Sequence, residues 1–121
     1  MKITKFEDIQ AWCKSQDLAV KIYQKFKNLN DWGFKDQIRR AAISVSSNIA
    51  EGFNRKSDAE FTRFLYFALG SNGEVRSLLY LGLRLGYIEE KEGRSIIQES
   101  NTISAYIYKF IQSINKSNKS T

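Results

Sequence analysis

The chain contains no proline and no histidine, and Cys13 is its single cysteine. Without proline, nothing removes a backbone N–H or forces a kink, so long unbroken helices are allowed. The lack of histidine takes away the commonest general base near neutral pH and the commonest metal ligand. One cysteine excludes an intrachain disulfide and a cysteine-based metal cage, and beside Trp12 it reads as a small packing residue. Long apolar runs are also missing, since none reaches the roughly 18 residues of a membrane-spanning helix. The opening residues Met1-Lys2-Ile3-Thr4-Lys5-Phe6-Glu7-Asp8 turn acidic where a signal peptide would be apolar. A cytoplasmic, non-enzymatic protein without metal or cofactor is therefore expected.

What is present is the composition of an ordinary globular domain, 121 residues with 42% hydrophobic and 26% charged. That length suits one domain spanning 1–121. The net charge of +6 is uneven: residues 1–30 hold six lysines against Glu7, Asp8 and Asp17, and residues 33–56 hold Lys35, Arg39, Arg40, Arg55 and Lys56 against Asp36 and Glu51. Residues 57–86 balance. Such a field attracts phosphate backbones without reading sequence.

Apolar spacing predicts four helices, at about 6–28, 35–53, 57–85 and 89–115, with a polar tail at 116–121. Thr4-Lys5-Phe6-Glu7 is a capping-box pattern, and Ile9, Trp12 or Cys13, Gln16, Ala19 or Val20, Tyr23 and Phe26 or Lys27 form the first stripe. In the second helix the stripe is Ile38, Ala42, Val45, Ile49 and Phe53, with unusually small residues between, among them Ala41, Ser44, Ser46, Ala50 and Gly52. Ser57-Asp58-Ala59-Glu60 is another capping box, and the apolar series that follows it is Phe61, Phe64, Leu65 and Ala68, then Val75, Leu78, Leu79, Leu81 and Leu85. By propensity Gly70-Ser71-Asn72-Gly73 would be a loop, yet positions 64, 68, 72, 75 and 79 keep helical phase across it, which predicts one continuous helix. Gly86 can take the left-handed conformation and end it. Acids at 89, 90 and 92 open the fourth helix, whose stripe is Ile96, Ile103, Ile107, Phe110 and Ile114. Long helices joined by short loops give an all-α, antiparallel up-down-up-down four-helix bundle.

The second helix also carries a polar stripe, Gln37, Arg40, Ser44, Ser47 or Asn48, Glu51 and Arg55. One reading is a solvated surface or an internal network with Glu74. The other is a groove for a ligand, a subunit or RNA, in which Arg39, Arg40 and Arg55 meet phosphates or carboxylates through their planar forks and Lys56 adds charge. Glu51 and Glu74 lack the histidines of a bundle di-metal site, and Ser44, Ser46 and Ser47 lack a base, so no catalytic residue is assigned. Two tryptophans, six tyrosines and eight phenylalanines exceed what one small bundle covers easily. Trp12, Trp32, Tyr66 and Phe67 are the candidates for a subunit interface.

The runs Gly33-Phe34-x-Asp36-Gln37-Ile38-Arg39-Arg40-Ala41-Ala42-x-Ser44, Ser47-Asn48-Ile49-Ala50-Glu51-Gly52, Ser57-x-x-Glu60-Phe61, Gly70-Ser71-x-x-Glu74 and Leu85-Gly86-Tyr87-Ile88 resemble a bundle family encoded by intervening sequences of bacterial 23S rRNA genes. The likeness spans about residues 6–112. The family usually has proline where this chain has Ser46. The resemblance implies antiparallel bundles assembled as ring-shaped pentamers. It extends to an accessory protein of diversity-generating retroelements, a basic ring that binds nucleic acid. Together these give an expected homo-oligomer, a pentamer, that binds RNA or a ribonucleoprotein through Gln37, Arg39, Arg40, Ser47, Asn48, Glu51, Arg55 and Lys56. The alternative is a protein-interaction adaptor using the same stripe.

Overall fold

Four helices form, and each begins or ends for a local reason that decides which face it buries. The computed structural model describes residues 3–119. A single 3-10 turn, Phe6–Asp8, precedes α1 (Gln10–Lys25), α2 (Trp32–Phe53), α3 (Asp58–Arg84) and α4 (Glu90–Lys119). The helices pack in cyclic order, α1 and α3 each against α2 and α4. With connections this short, neighbours run antiparallel. Ion pairs from Lys21 to Glu99 and from Lys25 to Glu92 tie α1 to α4.

The expected start of α1 at the Thr4 capping box is not observed. Ile9 occupies the N-cap with no side-chain cap and is 1% exposed. Burying Ile9, with Phe6 edge-on to Trp12 at 5.2 Å, fixes the entry in place of a polar cap. The expected stripe of α1 is also corrected. Its ends hold, since Ile9 and Phe26 are buried and Trp12 and Ala19 are half-buried, but between them Ala11, Ser15, Leu18 and Ile22 are buried, whereas Cys13, Gln16, Val20 and Tyr23 are exposed. A three-to-four rhythm from Ile9 fits either series, and Ser15 disguised the true one; its hydroxyl is satisfied by the Trp12 carbonyl at 2.9 Å.

In α2, Asp31 caps the start by accepting from the Phe34 N–H at 3.1 Å, so the helix begins before the expected 35. Ile38, Ala42, Val45 and Ile49 are fully buried. Ser46 is buried too, and its hydroxyl accepts from Gln16 Nε2 at 2.9 Å and bonds back to the Ile43 carbonyl at 3.5 Å. α2 thus runs unbroken through Ser46. Just beyond, Gly52 marks a close approach of α2 to α3, since a Cβ there would stand 2.5 Å from Phe64 Cβ.

α3 is continuous across Gly70–Gly73, as its phase requires. Ser57 caps it by accepting from the Glu60 N–H at 3.1 Å, while the Glu60 carboxylate turns to Arg63 instead of closing a full box. Within the doubtful stretch Asn72 is fully buried. Its Nδ2 donates to the Ser100 carbonyl at 2.7 Å and Ser104 Oγ at 2.8 Å, and Ser100 Oγ donates back to Asn72 Oδ1 at 2.8 Å. The helix ends on Gly86, φ 74°, with the Tyr87 N–H reaching the Gly82 carbonyl at 2.8 Å.

α4 extends beyond the expected end at 115, its backbone helical to Lys119; residues 120–121 of the expected tail lie outside the described residues. Ile97 and Ile111 join the buried series of Ile96, Ile103, Ile107 and Ile114, and Phe110 is half-buried.

Candidate functional site

The polar stripe of α2 divides when the helix is laid on its neighbours. Gln37 Nε2 donates to Glu74 at 3.2 Å, Ser44 shares a hydrogen bond with Ser71 at 2.8 Å, and Asn48 donates back to the Ser44 carbonyl at 2.8 Å. These bonds run along the α2/α3 seam. Arg40 pairs with Asp36 at 2.8 Å and Arg55 with Glu51 at 2.8 Å, both one turn away and solvent-exposed. Its hydrogen bond to Asp36, and then that charge itself, hold the Arg40 guanidinium further above its ordinary pKa.

The remaining predicted residues sit elsewhere. Arg39 lies toward α1, its guanidinium 4.2 Å from the Tyr23 ring and bonded to the Tyr23 carbonyl at 3.0 Å. Ser47 lines an open α1/α2 groove of about 390 Å³ with Ala19, Val20, Tyr23 and Ile43. Lys56 lies in the α2–α3 connection, on the rim of a depression of about 470 Å³ at the bundle's end.

Glu51 and Glu74 are each engaged separately, with Arg55 and Gln37. Among the described residues no three of His, Cys, Asp or Glu cluster as a metal site would require. What the seam holds is a ladder of paired polar groups beside two rings, the buried Phe64 and the exposed Phe67. Arg55 lies over Phe64 at 4.7 Å, Arg63 over Phe67 at 5.2 Å, and the two rings are 5.4 Å apart.

Of the aromatic interface candidates, Trp12 is half-buried against Phe6 within the chain. Trp32 is 71% exposed, with the buried Lys35 ammonium 3.8 Å from its ring and bonded to the Lys27 carbonyl. Tyr66 and Phe67 are 52% and 45% exposed. Leu81 and Leu85, expected in the apolar series of the third helix, are instead exposed, Leu85 as the C-cap of α3. Their signal was available, because they fall outside the phase of Phe64, Ala68, Val75 and Leu79.

Four antiparallel helices packed in cyclic order, with a hydrogen-bonded polar seam between α2 and α3, define an all-helical four-helix bundle. Among the described residues no helix is long and apolar enough to cross a membrane. The sequence model of the 23S rRNA-intervening sequence protein family matches residues 7–109, and the chain belongs to that family. A crystal structure from Bacteroides thetaiotaomicron, of a protein of unknown function from the S23 ribosomal protein family, is similar at 28% identity and a TM-score of 0.80, covering 84% of this chain and 97% of that one. No curated protein matches the sequence.

Proposed function

We propose that this protein is a non-enzymatic cytoplasmic scaffold that assembles from several copies of itself and binds RNA or a ribonucleoprotein through its cationic surface. The observation that carries the nucleic-acid reading is where the unneutralised charge lies. Arg40, Arg55 and Arg63 are each bonded to a carboxylate, whereas Lys56, Lys109 and Lys116 have no carboxylate partner among the described residues. From Ser100 onward the chain contains lysines and no acid. Lys109 lines an α1/α4 groove of about 270 Å³ with Tyr106 and Phe110, and Lys14 lies 5.4 Å from the Tyr106 ring. Cations interleaved with rings suit a phosphate backbone and its bases. For assembly, the support is the half-exposed rings of α3; five copies is what the family resemblance implies.

Binding of rRNA fragments should weaken steeply as salt rises, because cations on the phosphates are released. Salt-independent binding, or none at low salt, would sink the RNA reading. The exposed rings also favour a protein adaptor. Pull-downs with and without nuclease separate the two, since an adaptor keeps its captured protein after digestion.

A further inference from the structure

We propose that the depression at the end of the bundle is a binding site for a nucleoside phosphate, free or as the terminal unit of a strand. This goes beyond the surface binding proposed above and stands without it. The α2–α3 connection, the C-terminal half of α4 and Ile3 enclose a space of about 470 Å³ there, within the range of small-ligand sites.

Its floor is aromatic. Phe61 is buried, and the half-buried Phe53 and Phe110 stand edge-on to it at 5.7 and 5.4 Å. Rings already fixed against one another lose little freedom when a ligand settles on them, and a nucleobase gains from contact with such rings.

The rim selects among ligands. It holds Ser57 and Ser113 and one charge of each sign, Lys56 and Asp58, so a hydrocarbon chain would set polar groups against apolar surface. Among the described residues neither Lys56 nor Asp58 has a charged partner, whereas Arg55 on the same rim is bonded to Glu51. Ser57 Oγ already accepts from the Glu60 N–H, and Asp58 and Glu60 occupy the first turn of α3, so an anion belongs at Lys56 and not on the helix amides. A nucleotide matches each part, with its base on the rings, its ribose hydroxyls donating to Asp58 and its phosphate at Lys56. The adjoining α1/α4 groove shares Ile3, Phe110 and Ser113 with this depression and carries Tyr106 and Lys109. A second nucleotide of a strand would continue into it.

The test titrates the full chain with each ribonucleoside 5′-monophosphate, with ribose 5-phosphate and with a 5′-phosphorylated tetranucleotide of the tightest base, followed by calorimetry and amide NMR shifts. At least one monophosphate should bind and shift amides of the α2–α3 connection and of residues 110–117. Lys56→Gln should weaken it at least about tenfold, while Lys91→Gln, about 30 Å away along α4, leaves it unchanged. These lysines are exposed, so helical circular dichroism should hold in both variants. Ribose 5-phosphate, lacking the base, should bind at least about tenfold more weakly. With one cation at the phosphate, affinity should fall only shallowly with salt, in contrast to the steep loss expected of RNA on the wider surface. Tighter binding of the tetranucleotide, weakened by Lys109→Gln where the monophosphate is not, supports the site and names a strand end as the source; equal affinities support it and name the free nucleotide. Equal binding of ribose 5-phosphate, shifts confined to other parts of the bundle, or an affinity unchanged in Lys56→Gln overturns the site. Absence of binding by every nucleotide probe at millimolar concentration overturns it as well, whatever longer RNA does on the other faces.

Discussion

α3 meets its two neighbours through seams of opposite character. Against α4, Asn72 and Ser100 are fully buried, and Arg76 adds bonds to Ser100 Oγ at 3.1 Å and Ser104 Oγ at 2.9 Å. Against α2, the Gln37–Glu74 and Ser44–Ser71 pairs are exposed or half-buried. The bonds are of one chemical kind, but only the α4 seam leaves a stranded partner without water when one group is removed. It therefore holds α3 and α4 in one register, whereas the α2 seam leaves its polar groups at the surface.

Asn72→Ala should produce the largest effect, destabilising by about 2–4 kcal/mol in urea unfolding, because Ser100 and Ser104 lose partners and a void opens. Ser71→Ala should stay within about 0.5 kcal/mol. Equal losses would erase the distinction between the seams. Next comes glycine: Gly52→Ala should cost about 1–3 kcal/mol, since Phe64 Cβ would sit 2.5 Å from the new methyl. Gly70→Ala, where a Cβ would meet nothing within 4 Å, should add up to about 1 kcal/mol when measured at dilution that keeps chains apart. A loss at Gly70 would mean that its face is covered within the chain after all.

The smallest effect concerns the end of the bundle where Tyr87 Oη donates to Asp31 at 2.7 Å. That bond first, and the Phe34 N–H second, hold the Asp31 carboxyl below its ordinary pKa, while the same bond raises that of Tyr87. Stability from Asp31 is thus present above the unfolded carboxyl value of about 4 and lost as pH falls through the lowered folded value. Stability from Tyr87 is present below its unfolded value of about 10 and lost as pH rises. Asp31→Asn, which still caps α2, should flatten both limbs of a stability–pH profile. A profile unchanged by the substitution would show that the exposed pair contributes nothing measurable.

Legibility in the sequence followed the number of independent signals at each place. α3 was readable through its glycines because five positions kept phase, and Ser57 was readable because a cap needs only local chemistry. α1 was misread by about one position because Ser15 interrupts the stripe and nothing in the sequence says that its hydroxyl finds Trp12. The polar stripe of α2 was visible as polarity. Which residues share the seam was not, because the division between Asn48 and Ser47, or Arg40 and Arg39, depends on where α1 and α3 lie. Open space beside Gly70 belongs wholly to tertiary structure.

The two tryptophans stand at opposite ends of α1 and in opposite surroundings, Trp12 half-buried against Phe6 at one end and Trp32 in water beneath Lys35 at the other. The molecule therefore carries two optical reporters of different colour. Emission from Trp12 should be blue-shifted and shielded from acrylamide, and that from Trp32 red-shifted and readily quenched. Fraying at the first end moves the emission maximum. Disturbance at the second changes intensity, as the ammonium leaves the ring.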